Sequence, residues 1–113
     1  MTTLTYLASP YSHEDGRVRA RRYQAAVAAV AAFMNRGEHV FSPIVHSYPV
    51  AIAHSLPGEW EFWAEYDECM VSRCDRLVVL QLEGWDNSRG IAAEVAIAER
   101  LGIPVIYKKA GEL

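Results

Sequence analysis

With 113 residues the chain has room for one domain with a real core, and not for two. Its composition, 51% hydrophobic and 22% charged, is that of a soluble globule and argues against a disordered chain. A formal net charge of −3 gives no ground for binding a nucleic acid polymer, though a local arginine cluster would suffice for a small anion. No apolar run approaches the ~20 residues of a bilayer span, and the N-terminus has no signal-peptide pattern. Cys69 and Cys74 match neither a metal nor a redox spacing. The expectation is a cytoplasmic protein with two reduced thiols and no membrane partner.

Leu4 to Ala8 is an apolar run read as a buried strand, broken by Ser9-Pro10-Tyr11-Ser12. Ser12 and Asp15 have capping-box spacing and open a helix that runs to about Asn35. Tyr23, Val27, Val30 and Met34 mark its apolar face, and Gly37 ends it. Val40-Phe41-Ser42 reads as a second strand stopped by Pro43. Ile44 to Gly58, with His46, Pro49, His54 and Pro57, reads as loop with room for a helical turn. A second long helix covers Glu59 to Arg73, and a third strand Arg76 to Leu82. Ser88 is a natural N-cap for a third helix ending at Gly102, and Pro104 to Tyr107 makes a fourth strand. The tail, Lys108 to Leu113, is too short for another element.

Strands that are nearly continuous apolar runs, alternating with helices, indicate a parallel sheet covered on both faces. The expected architecture is a flavodoxin-like three-layer α/β sandwich of four parallel strands, or five, in the order 2-1-3-4. Such sheets bind ligands at the carboxyl ends of the strands, near the switch point between strands 1 and 3. The loops expected there are Ser9 to Ser12, Pro43 to Gly58 and Glu83 to Ser88.

Two acids sit where apolar side chains are expected. At 100° per residue Ile91, Val95, Ala98 and Leu101 share one stripe of the third helix, and Glu94 falls inside it. Helical side chains lean toward the N-terminus, so Glu94 should reach over Gly90, which has no side chain to block it. On the second helix Trp60, Trp63, Ala64, Met70, Val71 and Cys74 form the stripe, with Asp67 in its middle. Glu61, Glu65, Glu68 and Ser72 form the wet face. A buried acid is costly without a partner or a task. Paired carboxylates in a partly desolvated cleft suit glycosyl chemistry: one attacks or stabilises C1′, and the other handles a proton or orients the sugar. The plainer reading pairs each acid with Arg19 or Arg73.

Arg19, toward the apolar face near the start of the first helix, could hold a phosphate or pair with either acid. Ser88 with the amides of Arg89 and Gly90, and the turn beginning at Ser9, are candidate anion sites because helix N-termini favour phosphate. As plain caps they would hold nothing. His46 and Tyr48 fall in an expected site loop, and Trp85 beside Asp86 is open enough to stack on a base. Trp60 and Trp63 read as core. No metal-ligand spacing, phosphate-binding loop, dinucleotide fingerprint or Ser-His-Asp set occurs, so no metal and no cofactor is expected.

Taken together, Tyr6-Leu7-Ala8-Ser9-Pro10-Tyr11, then Tyr66-Asp67 ahead of Cys74-Asp75-Arg76-Leu77-Val78-Val79-Leu80, then Ser88-Arg89-Gly90 with Glu94-Val95-Ala96, resemble the nucleoside 2-deoxyribosyltransferase superfamily. The likeness extends over about residues 4–107. Within it the chain looks most like a small branch catalogued only as a domain of unknown function. The resemblance implies that Glu94 is the nucleophile that takes the deoxyribosyl group, that Asp67 contacts the sugar or assists proton transfer, and that Tyr6 positions the nucleophile. It implies a nucleotide rather than a free nucleoside, because Ser88 stands where relatives that hydrolyse monophosphates carry serine. A homodimer or homotetramer is implied in the same way. Two features depart from the pattern. Ala96 stands where the family has glycine, and the C-terminal strand and loop that lend residues to a neighbouring subunit are short. Both bear on acceptor-base binding and on transfer against hydrolysis.

The expectation is an enzyme that cleaves or transfers at the N-glycosidic bond of a (deoxy)nucleoside or its 5′-monophosphate. Glu94, Asp67 and Tyr6 would form its catalytic set, and Ser88, Gly90, Arg19, Ser9, Asp86 and His46 its substrate contacts. The alternative is a nucleotide-binding or sensing module of the same fold without turnover. A third reading is a structural domain in which the acids form buried ion pairs.

Overall fold

A computed structural model describes residues 2–113. Strands β1 (Leu4–Ala8), β2 (His39–Phe41), β3 (Arg76–Leu80) and β4 (Val105–Lys108) alternate with helices α1 (Gly16–Asn35), α2 (Pro43–His54), α3 (Trp60–Ser72) and α4 (Arg89–Arg100). Every strand pairing is parallel and the order is β2-β1-β3-β4, as expected, with four strands and no fifth among the described residues. Tyr6 pairs with Leu77 and Ala8 with Val79, so β1 and β3 form the centre of the sheet.

The two-residue period of a strand divides these central side chains between two cores. Leu7, Val78 and Leu80 meet Ala29, Val30 and Phe33 of α1 on one face. Tyr6, Ala8, Leu77 and Val79 meet Val71 and Cys74 from the α3 side and Ile91, Ile97 and Ala98 of α4 on the other. The result is three layers: α1, the sheet, and α3 beside α4. Surface ion pairs strap the last two helices together, Arg89 to Glu61 at 2.6 Å and Arg100 to Glu68 further along.

Several expectations shift. Asp15, not Ser12, is the N-cap of α1, its Oδ1 accepting from the Arg17 amide at 2.8 Å. Met34 is 62% exposed, and Phe33 takes the buried place one position earlier. On α4 Ile97 joins the buried face, and Leu101 is exposed because it is the C-cap, past the last helical residue. The strand β3 ends at Leu80 rather than Leu82, and Trp85–Asn87 forms a 3-10 turn. The tail also carries one 3-10 turn, Ala110–Glu112, closed by the Lys109 amide donating to Glu112 Oε1 at 2.7 Å.

The largest correction is α2, where a loop was expected. Ser42 and Pro43 do not merely end β2; they begin a helix. The Ser42 hydroxyl accepts from the Val45 amide at 3.2 Å, and proline suits the first helical turn, whose amides lack intrahelical partners anyway. Pro49 lies inside this helix. Packing along α1 and the sheet edge holds the segment helical despite that missing donor. Ser42→Ala removes a buried cap and is expected to destabilise the protein by ~1 kcal/mol, with unchanged urea m-value. A chemical denaturation series measures this; an unchanged midpoint would show that α2 does not depend on its cap.

Candidate active site

Tyr6 stands on a central strand with its ring on the α3/α4 face, fully buried. Its hydroxyl donates to Glu94 Oε2 at 2.5 Å, joining residues 88 apart in sequence. Glu94, in the second turn of α4, is 4% exposed, and Asp67, midway along α3, is 7% exposed. Because α3 and α4 pack side by side, the two carboxyls come within hydrogen-bonding reach of each other. The structure thus brings Tyr6, Asp67 and Glu94 into one buried cluster.

Desolvation dominates its electrostatics. Burial pushes Glu94 up to about 8, and the neighbouring Asp67 charge adds to the rise. The Tyr6 hydroxyl opposes it by donating to the charged form. Burial pushes Asp67 up to about 6, with the Glu94 hydrogen bond opposing. Tyr6 is itself held well above its ordinary value, first by burial and then by Glu94, so it stays a neutral donor. Between about pH 6 and 8 the acid pair therefore holds one proton between its two members.

The arginines do not neutralise these acids. Arg19 donates to the His13 carbonyl, and Arg73 to the Cys69 carbonyl at 3.0 Å. Among the described residues the ion pairs engage Asp15, Glu38, Glu61 and Glu68, and not Glu94 or Asp67. The reading of the two acids as buried ion pairs with Arg19 and Arg73 is overturned.

The remaining candidates lie around the carboxyl end of the sheet. Ser88 caps α4, its hydroxyl accepting from the Ile91 amide at 3.2 Å. A Cβ on Gly90 would meet only Ser88 Oγ, at 3.9 Å, so the space over this turn is open. Ser9, directly after β1, is 6% exposed and its Oγ has no hydrogen-bond partner among the described residues. A buried hydroxyl left in this state is unusual and costs about 1–3 kcal/mol. Asp86 is exposed on the 3-10 turn. Trp85 is not the open residue expected: it is half-buried, with its ring 5.5 Å from that of Tyr107. His46 is on α2, exposed, 3.4 Å from the Tyr66 hydroxyl. Its ring lies 5.7 Å from Phe41, which in turn lies 5.7 Å from Tyr6.

Phe41, Tyr66 and Arg22 were not singled out as site residues by sequence reasoning. Tyr66 adjoins Asp67, and an aromatic beside a misplaced acid was a usable signal. Arg22 reaches main-chain carbonyls on two loops, which leave no mark in a sequence. Two surface clefts, of about 430 and 260 Å³, are lined by other residues: one around Thr5, Glu38 and Arg76, the other around His13, Arg22 and Leu82. The desolvated acids, rather than the volume of either cleft, mark the chemically distinctive place. Among the described residues no three His, Cys, Asp or Glu side chains gather to hold a metal ion, and no helix is long and apolar enough to cross a membrane. Cys69 and Cys74 are free thiols, and burial with the Asp75 charge pushes Cys74 up to about 11.

Fold and site define an α/β domain with a proton-sharing acid pair beneath the carboxyl end of its sheet. A family model described as "Domain of unknown function (DUF1937)" matches residues 3–109, nearly the whole chain, and the chain belongs to that family. Among curated proteins, none matches it.

The raised carboxyls tie stability to pH. The folded state binds protons at Glu94 and Asp67 that the unfolded chain has already released. Their contribution is therefore full below about pH 4 and is lost as pH rises through about 6 and about 8. Glu94→Gln keeps an acceptor for Tyr6 and carries no charge. It should lose less stability than wild type between pH 6 and 8, ending ~1–3 kcal/mol ahead at pH 8. Parallel denaturation curves for the two proteins would contradict a buried, raised Glu94.

Proposed function

We propose that the protein cleaves or transfers at the N-glycosidic bond of a (deoxy)nucleoside 5′-monophosphate or nucleoside. One observation carries the reading: two buried carboxyls, both raised by desolvation, neighbour each other while a buried phenol holds one of them at 2.5 Å. Glycosyl transfer requires one ionised acid and one protonated acid at the same centre, and a pair holding a single proton supplies both. Burial favours the proton on Glu94; engagement of substrate moves it to the neighbouring Asp67. The Glu94 carboxylate then forms a bond to C1′ as the C1′–N bond breaks, its electron pair leaving with the base, which takes the proton from Asp67. Water, losing a proton to Asp67, or an acceptor base, then attacks C1′ and releases Glu94. Tyr6 orients Glu94 and eases its ionisation.

The resemblance to the nucleoside 2-deoxyribosyltransferase superfamily supports the same roles. An anionic 5′ end is accommodated by donors at the mouth: the Ser88 hydroxyl hydrogen, free while its oxygen accepts from Ile91, the unpartnered Ser9 hydroxyl, and the Arg19 donors not used on His13. Asp86 and His46, both exposed, serve as further substrate contacts in this reading, and Gly90 leaves room over the helix end. The reading carries with it a cytoplasmic setting, where the two thiols stay reduced, and a homodimer or homotetramer.

Purified protein offered a panel of nucleosides and monophosphates should release free base, with kcat/KM bell-shaped in pH and limbs near 6 and 8. Below the first limb no nucleophile is ionised; above the second no proton remains for the leaving base. Glu94→Ala should abolish release, and Tyr6→Phe should lower it by about 10–100-fold. A ligand that raises Tm while no base appears, in wild type and variant alike, would instead mark a binding or sensing module.

A further inference from the structure

Arg22 lies in the second turn of α1 and pairs with no acid among the described residues. Its Nη1 donates to the Ser12 carbonyl at 2.8 Å and its Nη2 to the Glu83 carbonyl at 3.0 Å, contacts 10 and 61 residues away. These carbonyls belong to the loops that follow β1 and β3, the two neighbouring central strands. One loop carries Ser9 with its unpartnered buried hydroxyl, and the other leads through Trp85 and Asp86 to Ser88 and α4. Gly84 completes the arrangement. It has φ +90°, and a Cβ there would collide with Arg22 Nη2. The glycine therefore supplies both the backbone turn and the space for the guanidinium.

We propose that Arg22 is a positioning residue, a strut that sets the separation of the two loops at the carboxyl ends of the central strands. Its activity readout rests on the function proposed above; its loop readout does not. The reasoning is mechanical and electrostatic. A planar guanidinium offers donors in a fixed fork, and each bond from a cation to a carbonyl is stronger than a neutral one. The strut is anchored, because the next turns of α1 bury Ala26, Ala29, Val30 and Phe33 against the sheet. Both partners are backbone atoms, so the strut fixes the paths of the loops rather than single rotamers. Lysine, a point donor, cannot span the two carbonyls with the same geometry. Moving either loop by about 1 Å would misplace substrate over the acids, although Arg22 touches none of the reacting atoms.

Hydrogen exchange on the full-length protein tests this. In Arg22→Met, which keeps the apolar stem, and in Arg22→Ala, amides of residues 9–15 and 82–88 should exchange about tenfold faster, with the central strands unchanged. Arg22 lines the cleft of about 260 Å³ with His13, Arg21, Leu82 and Glu83, so a small cation can enter the place vacated by Arg22→Ala. Millimolar methylguanidinium should slow both loops again. Gly84→Ala should loosen the same loops, and by less in the Arg22→Ala background, where the collision is absent. With nucleotide substrate, kcat should fall about tenfold or more in Arg22→Met, with the pH limbs of kcat/KM unmoved. Unchanged exchange in both loops for Met and Ala variants alike would overturn the strut, as would loosening of α1 without the loops. Should Arg22→Ala fail to fold, Arg22→Lys decides: exchange equal to wild type in both loops overturns the proposal. If wild type releases no base, the functional reading falls and the exchange data still judge the strut.

Discussion

A phenol hydroxyl and a carboxyl placed beyond the reach of water must satisfy each other, and the hydrogen bond from Tyr6 to Glu94 does so. Much of the architecture follows from it. Tyr6 occupies a fully buried position on a central strand, so its polar end can be met only by something projecting from the helix layer above. That fixes the phase of α4: Glu94 must point inward, and Ile91, Ile97 and Ala98 go with it. The cost of drying a carboxyl is lowered by keeping a proton on the pair, and this is why α3 contributes a second acid instead of an arginine. An arginine at Asp67 would quench the charge and remove the shared proton together.

The parallel sheet supplies the place. The connection leaving β1 runs to α1 on one face, while the connection leaving β3 runs to α4 on the other, and the loops part above the strands between. Ser9 and the 3-10 turn before Ser88 form the two lips. Two kinds of fastening hold this opening. Ion pairs on the outside, Arg89 with Glu61 and Arg100 with Glu68, keep the acid-bearing helices in register; the Arg22 fork holds the lips from the α1 side. The first kind is exposed and weak; the second springs from a helix anchored in packed structure.

The strand order, helices α1, α3 and α4 and the two inward acids are all legible in the sequence, because each rests on periodicity, which survives small errors of phase. The phase itself was legible only to within one residue. On α1 Phe33 is buried where the predicted stripe has Met34, since an alanine-rich helix can roll slightly without breaking its pattern; Leu101 is exposed because α4 ends just before it. Helix α2 escaped because proline is ambiguous: Pro43 stops a strand and equally starts a helix, and contacts with α1 decide between them. Ser12 and Asp15 were both competent caps, and the one bonded to Arg17 prevailed. Trp85 reads as open in sequence because its neighbour Tyr107 comes from β4, and the role of Arg22 is silent there because carbonyls carry no side-chain signature.

The 88-residue gap between Tyr6 and Glu94 has a consequence for how the chain is made. During synthesis β1 emerges first, yet its central neighbour β3 follows about seventy residues later, and the acid that Tyr6 must meet later still. The desolvated acid pair thus comes into being in a single closing step, when α4 docks, and a nascent chain never carries it half built.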